Sequence, residues 1–149
     1  MNPSLVAHAT ILILFALTLP SLHAAPPTEL EFKDIVVGAG DDLKRNAFAV
    51  MHFSAWVYDD TAPEFKGQQF GDSRKRGETV TWVYGFRRAI AGVEKGMAGM
   101  RVGGKRYVLI PAKFGYDGHK HVAPTGVPPN SPLVFEIELL SVVPQGASE

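Results

Sequence analysis

Histidine and serine side chains near the middle of the chain are the first candidates for chemistry. His52 and Ser54 alternate with apolar residues, and Ser73 lies further along the chain. A serine hydrolase needs a histidine base beside the nucleophile and a carboxylate that orients the histidine. Nothing in the sequence places such a carboxylate, so we do not expect a hydrolase.

Other groups that commonly carry chemistry are absent or poorly placed. The chain has no cysteine, which excludes disulfides, thiolate metal sites and cysteine nucleophiles. His119 and His121 would converge on a metal ion in an extended segment, but no third ligand is placed, and a loop over the mouth of a pocket is the favoured interpretation. Residues 99–104 lack the ending of a phosphate-binding loop and predict a turn. We therefore expect no cofactor and no metal site.

The composition favours one globular domain. The chain has 149 residues, of which 46% are hydrophobic, and its 15 basic residues balance its 15 acidic residues. A net charge of zero provides no overall field to attract nucleic acid, so such a partner would need a local basic patch. The basic runs at 74–76, 87–88 and 105–106 are interpreted as solvated turns instead. We expect no nucleic-acid partner.

The N-terminal segment resembles a secretory signal peptide. The first 25 residues contain no Lys, Arg, Asp or Glu, and the apolar run at 11–19 is followed by Pro20 and small residues. A membrane anchor is the alternative, but the run is well short of the ~20 residues that span a bilayer. We predict a signal peptide over 1–25, cleaved after Ala24 or Ala25, and an exported protein of the periplasm or the extracellular medium.

The remaining sequence predicts a linker at 26–29, one domain at 30–143 and a tail at 144–149. Alternation is clearest at the end of the domain, where Leu133, Phe135, Ile137 and Leu139 share one strand face. Residues 88–97 are the segment with helical spacing. The predicted strands are 30–37, 48–58, 79–84, 105–110 and 133–143. These elements predict an α+β fold, with an antiparallel sheet of five or so strands wrapped around one short helix.

Residues 59–71 interrupt the strand pattern. They contain two aspartates, a proline and two glycines, but only two large apolar residues, Phe65 and Phe70. Long loops in compact domains are often functional, and a flap beside a pocket is one interpretation. A solvated insertion is the other interpretation, and it is the one we favour.

Seven short motifs occur in a characteristic order within residues 30–143. They are VMHFS at 50–54, QFGDS at 69–73, RGE at 76–78, AIAGVEKGM at 89–97, MRVGGKR at 100–106, IPAKFGY at 110–116 and VPPNSPLVFEIELL at 127–140. Together these motifs resemble the FKBP-type peptidyl-prolyl cis-trans isomerases. Each motif alone is weak, whereas the ordered set is specific.

The resemblance implies an antiparallel half-barrel curled around the short helix, with a shallow apolar pocket that takes a proline ring. It implies that the Ile90 backbone N–H and the Tyr116 hydroxyl donate hydrogen bonds to carbonyls of a bound peptide or macrolide inhibitor. By residue type alone, most of the pocket walls would be ordinary core. The other implied site residues are Phe53, Phe70, Asp72, Val80, Trp82, Val93, Val127 and Phe135.

Three positions depart from the pattern of that family. The family usually has Phe followed directly by Asp, whereas this chain has Phe70-Gly71-Asp72, so the carboxylate at the pocket edge is either missing or displaced by one residue. Val93 stands where a large apolar residue usually forms the pocket floor, and Phe53 stands where a tyrosine is usual. These differences bear on rate and macrolide recognition more than on the fold.

The resemblance implies an enzyme that accelerates rotation about Xaa-Pro bonds in proline-containing clients, without a cofactor. The rival interpretation is a catalytically weak chaperone or partner-binding module of the same fold. A third is a structural subunit of an envelope complex, which would require an exposed apolar patch outside the pocket. A monomer is expected, because no spare helix is available as a dimerising arm.

Overall fold

Strands rich in β-branched and aromatic residues form most of the domain. The computed structural model describes residues 24–116, 122–144 and 146. Within these residues, the regular elements are β1 (Glu31–Val36), β2 (Ala47–Tyr58), β3 (Lys66–Asp72), β4 (Val80–Val83), α1 (Ala91–Gly96), β5 (Lys105–Ile110) and β6 (Leu133–Pro144). Single 3-10 turns occupy Pro63–Phe65 and Ala112–Phe114. The predicted α+β class is therefore confirmed, with six strands and one short helix.

The strands form one open antiparallel sheet in the order β1-β5-β6-β2-β3, and β4 pairs with β2 beside this path. The two longest strands, β2 and β6, pair along most of their length, so that Ala55 lies opposite Phe135 and Met51 opposite Leu139. The alternation predicted for β6 is confirmed, because every second side chain from Leu133 to Leu139 is buried. We call the face that carries these side chains and packs on α1 the helix-side face, and the opposite face the outer face.

The helix is shorter than the predicted 88–97 and begins at Ala91. Ile90 caps it in an extended conformation, with ψ at 150°. So short a helix is unstable alone, and its packing on β5 must hold it in place. Two glycines allow this packing: a Cβ at Gly92 would lie 2.2 Å from Ile110 Cγ2, and a Cβ at Gly96 would lie 2.7 Å from Val108 Cγ1.

Arg106 ties the end of the helix to the sheet edge. Its guanidinium donates to both carboxylate oxygens of Asp34, at 2.6 and 3.2 Å, and to the carbonyls of Gly96 and Ala98, at 2.9 and 2.7 Å. It also lies 4.2 Å from the centre of the Phe32 ring. The residue is only 5% exposed. The interpretation of 105–106 as a solvated turn is therefore wrong, because these residues begin β5.

The prediction of a solvated insertion at 59–71 is wrong for residues 66–71, which belong to strand β3. Residues 66–72 pair with β2, with Ser54 opposite Asp72 and Ala55 opposite Gly71. The sequence concealed this strand because glycines and glutamines have little intrinsic preference for sheets. The first half folds back on the outer face, where Phe65 stacks on Tyr58 at 5.1 Å between ring centres.

Charged and aromatic side chains on the outer face form a paired network. Lys66 Nζ lies 2.6 Å from Glu64 and 2.8 Å from Glu136, and it sits 5.0 Å from the centre of the Trp56 ring. Tyr107 donates its hydroxyl to the Glu64 carbonyl at 2.8 Å. Burial raises the pKa of Glu136, but hydrogen bonds from its lysine partners outweigh this effect and lower the pKa below its usual value. Burial raises the pKa of Tyr107 to about 12.

Strand β1 differs from the other strands in being exposed along its whole length. Its apolar side chains include Phe32, Ile35 and Val36, which are 52%, 47% and 49% exposed. Among the described residues, β1 is an edge of the sheet, so one of its backbone edges has no strand partner there. In the part of the chain that the structure describes, no helix is long and apolar enough to cross a membrane.

Candidate functional site

An apolar cavity of about 180 Å³ opens between α1 and the helix-side face. This volume is smaller than the roughly 300–1,000 Å³ of sites for drug-sized ligands, and it suits a single side chain. The lining residues come from β2, β4, β6, α1, the segment before the helix and the segment between β5 and β6. They are Met51, Phe53, Trp82, Arg88, Ala89, Ile90, Val93, Tyr116, Phe135 and Ile137.

Phe135 is the centre of an aromatic cluster at this cavity. Its ring stacks on Phe53 at 5.8 Å between ring centres and meets Phe70 edge-on at 5.9 Å. Phe70 in turn meets Tyr116 edge-on at 6.1 Å. The register between β2 and β6 places Phe53 and Phe135 on the same face, because Phe53 pairs with Ile137 and Ala55 with Phe135. The walls are therefore largely aromatic and apolar.

Three hydrogen-bond donors of residues that line the cavity have no acceptor among the described residues, and two of them are suited to hold a bound peptide. One is the backbone N–H of Ile90, whose carbonyl instead accepts from the first turn of α1. The other is the Tyr116 hydroxyl, and burial raises the pKa of this phenol above its usual value of 10.0. Tyr116 therefore keeps its proton at physiological pH. The indole Nε1 of Trp82 is also buried without a partner in the described part of the chain.

The structure brings together most of the site residues expected from sequence. Phe53, Trp82, Ile90, Val93, Tyr116 and Phe135 line the cavity. Phe70, Val80 and Val127 do not line it but pack, partly buried, against the same core cluster. Asp72 is the residue that is placed elsewhere.

Asp72 lies on the outer face, so no carboxylate from this motif reaches the cavity edge. Asp72 accepts hydrogen bonds from the Lys75 backbone N–H, Gln69 and Ser54 at 3.0, 3.1 and 3.2 Å, and the pKa of its carboxyl is lowered by these bonds. A bulge in β3 at Phe70 sets this geometry. A Cβ at Gly71 would point to the helix-side face, 2.9 Å from the Phe53 ring. The edge of the cavity therefore lacks the Asp72 carboxylate, because the displaced residue lies on the outer face.

Sequence reasoning did not assign Arg88, Ala89, Met51 or Ile137 to the cavity. Met51 and Ile137 have only the alternation of core residues to mark them. Arg88 is exposed in the loop before α1, as expected for a solvated turn, and it also lines the cavity. The missed signal is its position two residues before Ile90, in the segment that enters the helix.

A larger groove of about 590 Å³ lies next to the cavity, and Ala89 lines both. It runs beside α1. Its lining residues are Arg45, Tyr84, Gly85, Arg87, Ala89, Ala91, Glu94, Lys95, Ala98 and Gly115.

The histidine and serine candidates form a structural contact. His52 Nδ1 lies 2.9 Å from Ser73 Oγ, but this oxygen also accepts the Phe53 backbone N–H at 3.0 Å, and Ser73 is fully buried. Ser73 is thus inaccessible to a substrate. His119 and His121 lie outside the described residues, and no three metal-ligating side chains cluster within them.

Comparison with known proteins identifies a family with this site. The model of the FKBP-type peptidyl-prolyl cis-trans isomerase family matches residues 40–140. An FK506-binding protein of Neisseria meningitidis serogroup B is 32% identical over 113 residues, which cover 76% of this chain and 95% of the relative. An FK506-binding protein of Streptomyces anulatus is 29% identical over 117 residues, covering 78% and 89%. The photosynthetic NDH subunit of lumenal location 4 from Arabidopsis thaliana is 32% identical over 124 residues, covering 77% and 54%.

Two solved structures share the fold. FkpA from Escherichia coli has a TM-score of 0.63 and 27% identity, and the match covers 84% of this chain and 54% of FkpA. AtFKBP13 has a TM-score of 0.63 and 29% identity, and the match covers 78% of this chain and 94% of AtFKBP13. The chain therefore spans about half of FkpA and nearly all of AtFKBP13.

Proposed function

The chain belongs to the FKBP-type peptidyl-prolyl cis-trans isomerases, enzymes that accelerate rotation about Xaa-Pro bonds, and we propose that its apolar cavity is where the proline ring binds. The observation that supports this proposal is an apolar, aromatic cavity. Beside it, the Ile90 N–H and the Tyr116 hydroxyl have no hydrogen-bond acceptor among the described residues. A single chain builds the whole cavity, so the active unit that we propose is a monomer.

The reaction makes and breaks no covalent bond. Rotation about the Xaa-Pro bond removes amide resonance, at a barrier of about 18–20 kcal/mol. The twisted amide is less dipolar than the planar amide, so an apolar site favours the twisted form relative to water. Phe53, Trp82 and Phe135 supply that apolar surface.

The two donors orient the client rather than react with it. The Ile90 N–H and the Tyr116 hydroxyl would each donate to a carbonyl next to the proline. A donor that is satisfied only when the client is bound contributes about 1–3 kcal/mol, the usual penalty for leaving it unpaired. Because Tyr116 stays protonated, this contribution persists across physiological pH.

The direct test is NMR exchange spectroscopy on short Xaa-Pro peptides, with and without the purified protein. We expect faster cis-to-trans exchange, and broadening of the Ile90 and Tyr116 signals on peptide binding. Acceleration that a macrolide blocks would support the whole site. Acceleration that the macrolide does not inhibit would support the isomerase activity, and it would assign the loss of macrolide binding to Gly71. No acceleration for any peptide would contradict the proposal.

We also propose export. The uncharged N-terminal segment and the apolar run at 11–19 support a signal peptide over 1–25. One relative carries a lumenal location in its name, which accords with a fold that works outside the cytosol. N-terminal sequencing of the protein from a periplasmic extract should give a chain that starts at Ala25 or Pro26. A chain that starts at Met1 or Asn2 would contradict cleavage.

A second candidate function, holding unfolded chains, is favoured by one observation. Strand β1 presents exposed Phe32, Ile35 and Val36 beside an unpaired backbone edge, away from the cavity. Such an edge can accept an extended segment as an added strand. The test measures how well the protein suppresses aggregation of an unfolded client. Suppression that persists when the cavity is disrupted by substitution, but that Ile35→Lys abolishes, would support this function.

A further inference from the structure

Four cationic side chains at the cavity mouth have no carboxylate partner among the described residues. Arg88 lines the cavity, and Arg87 and Lys95 line the groove next to it. The Arg76 guanidinium lies 5.5 Å from the centre of the Phe53 ring. None of the four forms an ion pair over 24–116, 122–144 and 146.

Carboxylates are correspondingly scarce at this place. Within the described residues, Glu94 is the one carboxylate that lines the groove, and none lines the cavity. Glu94 Oε2 already accepts the Gly85 backbone N–H at 2.9 Å, and its Oε1 is buried. Elsewhere on the surface, some cations are neutralised, as in the pairs Arg101–Asp42, Lys105–Glu136 and Lys113–Glu29. The mouth therefore carries an excess of positive charge.

The loop that carries two of these arginines is held in a defined shape. Gly85 is bonded at both backbone atoms, since its N–H donates to Glu94 and its carbonyl accepts from Arg45 at 3.2 Å. Arg87 has φ at 54°, a left-handed conformation that non-glycine residues rarely adopt. The next residue along the chain, Arg88, lines the cavity, whereas Arg87 lines the groove. Strained backbone of this kind persists where the surrounding structure enforces it, commonly at functional sites.

We infer that the enzyme prefers client segments that carry aspartate or glutamate close to the proline. This inference rests on the proposed function. With the proline ring in the cavity, a segment that crosses Ala89 enters the groove, where a client carboxylate meets Arg87 and Lys95. Opposite charges both attract the segment and select against basic clients.

The test uses one proline peptide in three versions that differ in a single residue. Glu, Gln or Lys is placed in turn at each position from two residues before the proline to three residues after it. NMR exchange gives kcat/KM for each peptide with the full protein at 0.05 M and 0.5 M NaCl. At the best position we expect Glu to exceed Gln by about twofold to fivefold at low salt, the range for exposed ion pairs. The ratio should approach one at 0.5 M NaCl, where screening acts within about 4 Å.

Charge-removing variants assign the preference to the groove. Arg87→Gln and Lys95→Gln should each lower the Glu-to-Gln ratio by about twofold, and the double variant should bring it close to one. Lys33→Gln removes an exposed cation from strand β1 and should leave the ratio unchanged. Because each ratio compares two peptides on the same variant, a general loss of activity cancels.

Two results would overturn the inference. Equal rates for the Glu, Gln and Lys peptides would show that the charge at the mouth has no role. A Glu preference that persists in the double variant would place its origin outside the groove. If no peptide is accelerated, peptide affinities measured from amide chemical-shift changes separate the two proposals. A higher affinity for the Glu peptide would contradict the proposed function but keep the inference, whereas equal affinities for all three peptides would contradict both.

Discussion

The helix-side and outer faces of the sheet are both rich in aromatic residues, yet they differ in how their polar groups are satisfied. On the outer face, Lys66, Glu136 and the Tyr107 hydroxyl all have partners within the domain. At the cavity, the Ile90 N–H and the Tyr116 hydroxyl have none among the described residues. Aromatic content therefore does not distinguish the binding site from the outer face, whereas hydrogen-bond donors without acceptors next to apolar walls do.

The difference has an energetic reason. A donor kept from bonding within the fold costs stability, and it is retained where a ligand supplies the acceptor. A network such as that of Lys66 adds to stability and leaves nothing for a ligand. Substitutions on the two faces should therefore separate catalysis from stability.

The largest effect is expected from Phe135→Ala. It removes the ring that joins Phe53 to Phe70, and we expect a loss of about 3–5 kcal/mol in the free energy of unfolding. If about 3 kcal/mol of that packing also holds the twisted amide, kcat/KM falls by about a hundredfold. NMR exchange and urea unfolding measure the two effects.

Trp56→Phe is the matched change on the outer face and should keep activity within about twofold. If Phe135→Ala does not fold, Phe135→Leu is measured in its place, because leucine keeps more of the apolar packing. An equal loss of activity in Trp56→Phe and Phe135→Leu would remove the distinction between the two faces.

Arg106→Met tests a paired polar group on the helix side. It leaves Asp34 and the carbonyls of Gly96 and Ala98 without their donor, so we expect a loss of about 3–5 kcal/mol in unfolding free energy. The control is Arg101→Met, an exposed arginine paired with Asp42, which should cost less than about 1 kcal/mol. Similar unfolding curves for the two variants would show that Arg106 is not the anchor described above.

Tyr116→Phe should have a smaller effect that is confined to catalysis. It removes one donor and should raise the activation barrier by about 1–2 kcal/mol with little change in stability. Tyr107→Phe, on the outer face, should do the reverse by losing its bond to the Glu64 carbonyl. If Tyr116→Phe lowers kcat/KM as much as Phe135→Ala does, the apolar mechanism is in error.

The smallest effect is a pH dependence on the outer face. Because the folded state lowers the pKa of Glu136 below 4.5, this carboxylate stabilises the fold fully above about pH 4.5, and the contribution is lost as pH falls through the lowered pKa. At pH 7, Glu136→Gln should cost about 1–2 kcal/mol, and its stability should fall less steeply than that of the wild type on acidification. Urea unfolding between pH 7 and 3 tests this, with Glu29→Gln as an exposed control. Parallel curves would contradict the assignment.

Much of this site was accessible from sequence because ordered motifs carry information about packing. The alternation in 133–143 placed Phe135 and Ile137 on one buried face, and the family resemblance placed Phe53, Ile90 and Tyr116 around one cavity. The resemblance supplied what periodicity could not, because a pocket wall and a core residue have the same residue type.

Other features could not be predicted because they depend on partners distant in the chain. Strand β3 exists through its pairing with β2, not through its own propensity. Arg106 is buried because Asp34 and the end of α1 surround its guanidinium. Residues 87–88 are exposed in a loop, as the sequence indicates, and only the position of the helix shows that Arg88 also lines the cavity.

The sequence by itself determined the family, the strands with strong alternation, and six of the ten residues that line the cavity. The tertiary structure alone decided which face each side chain of β3 occupies. The bulge at Phe70 turns Gly71 toward Phe53 and Asp72 toward Ser54. The physical reason is that side chains along a strand alternate with a period of two, so a one-residue shift in pairing moves a side chain to the opposite face.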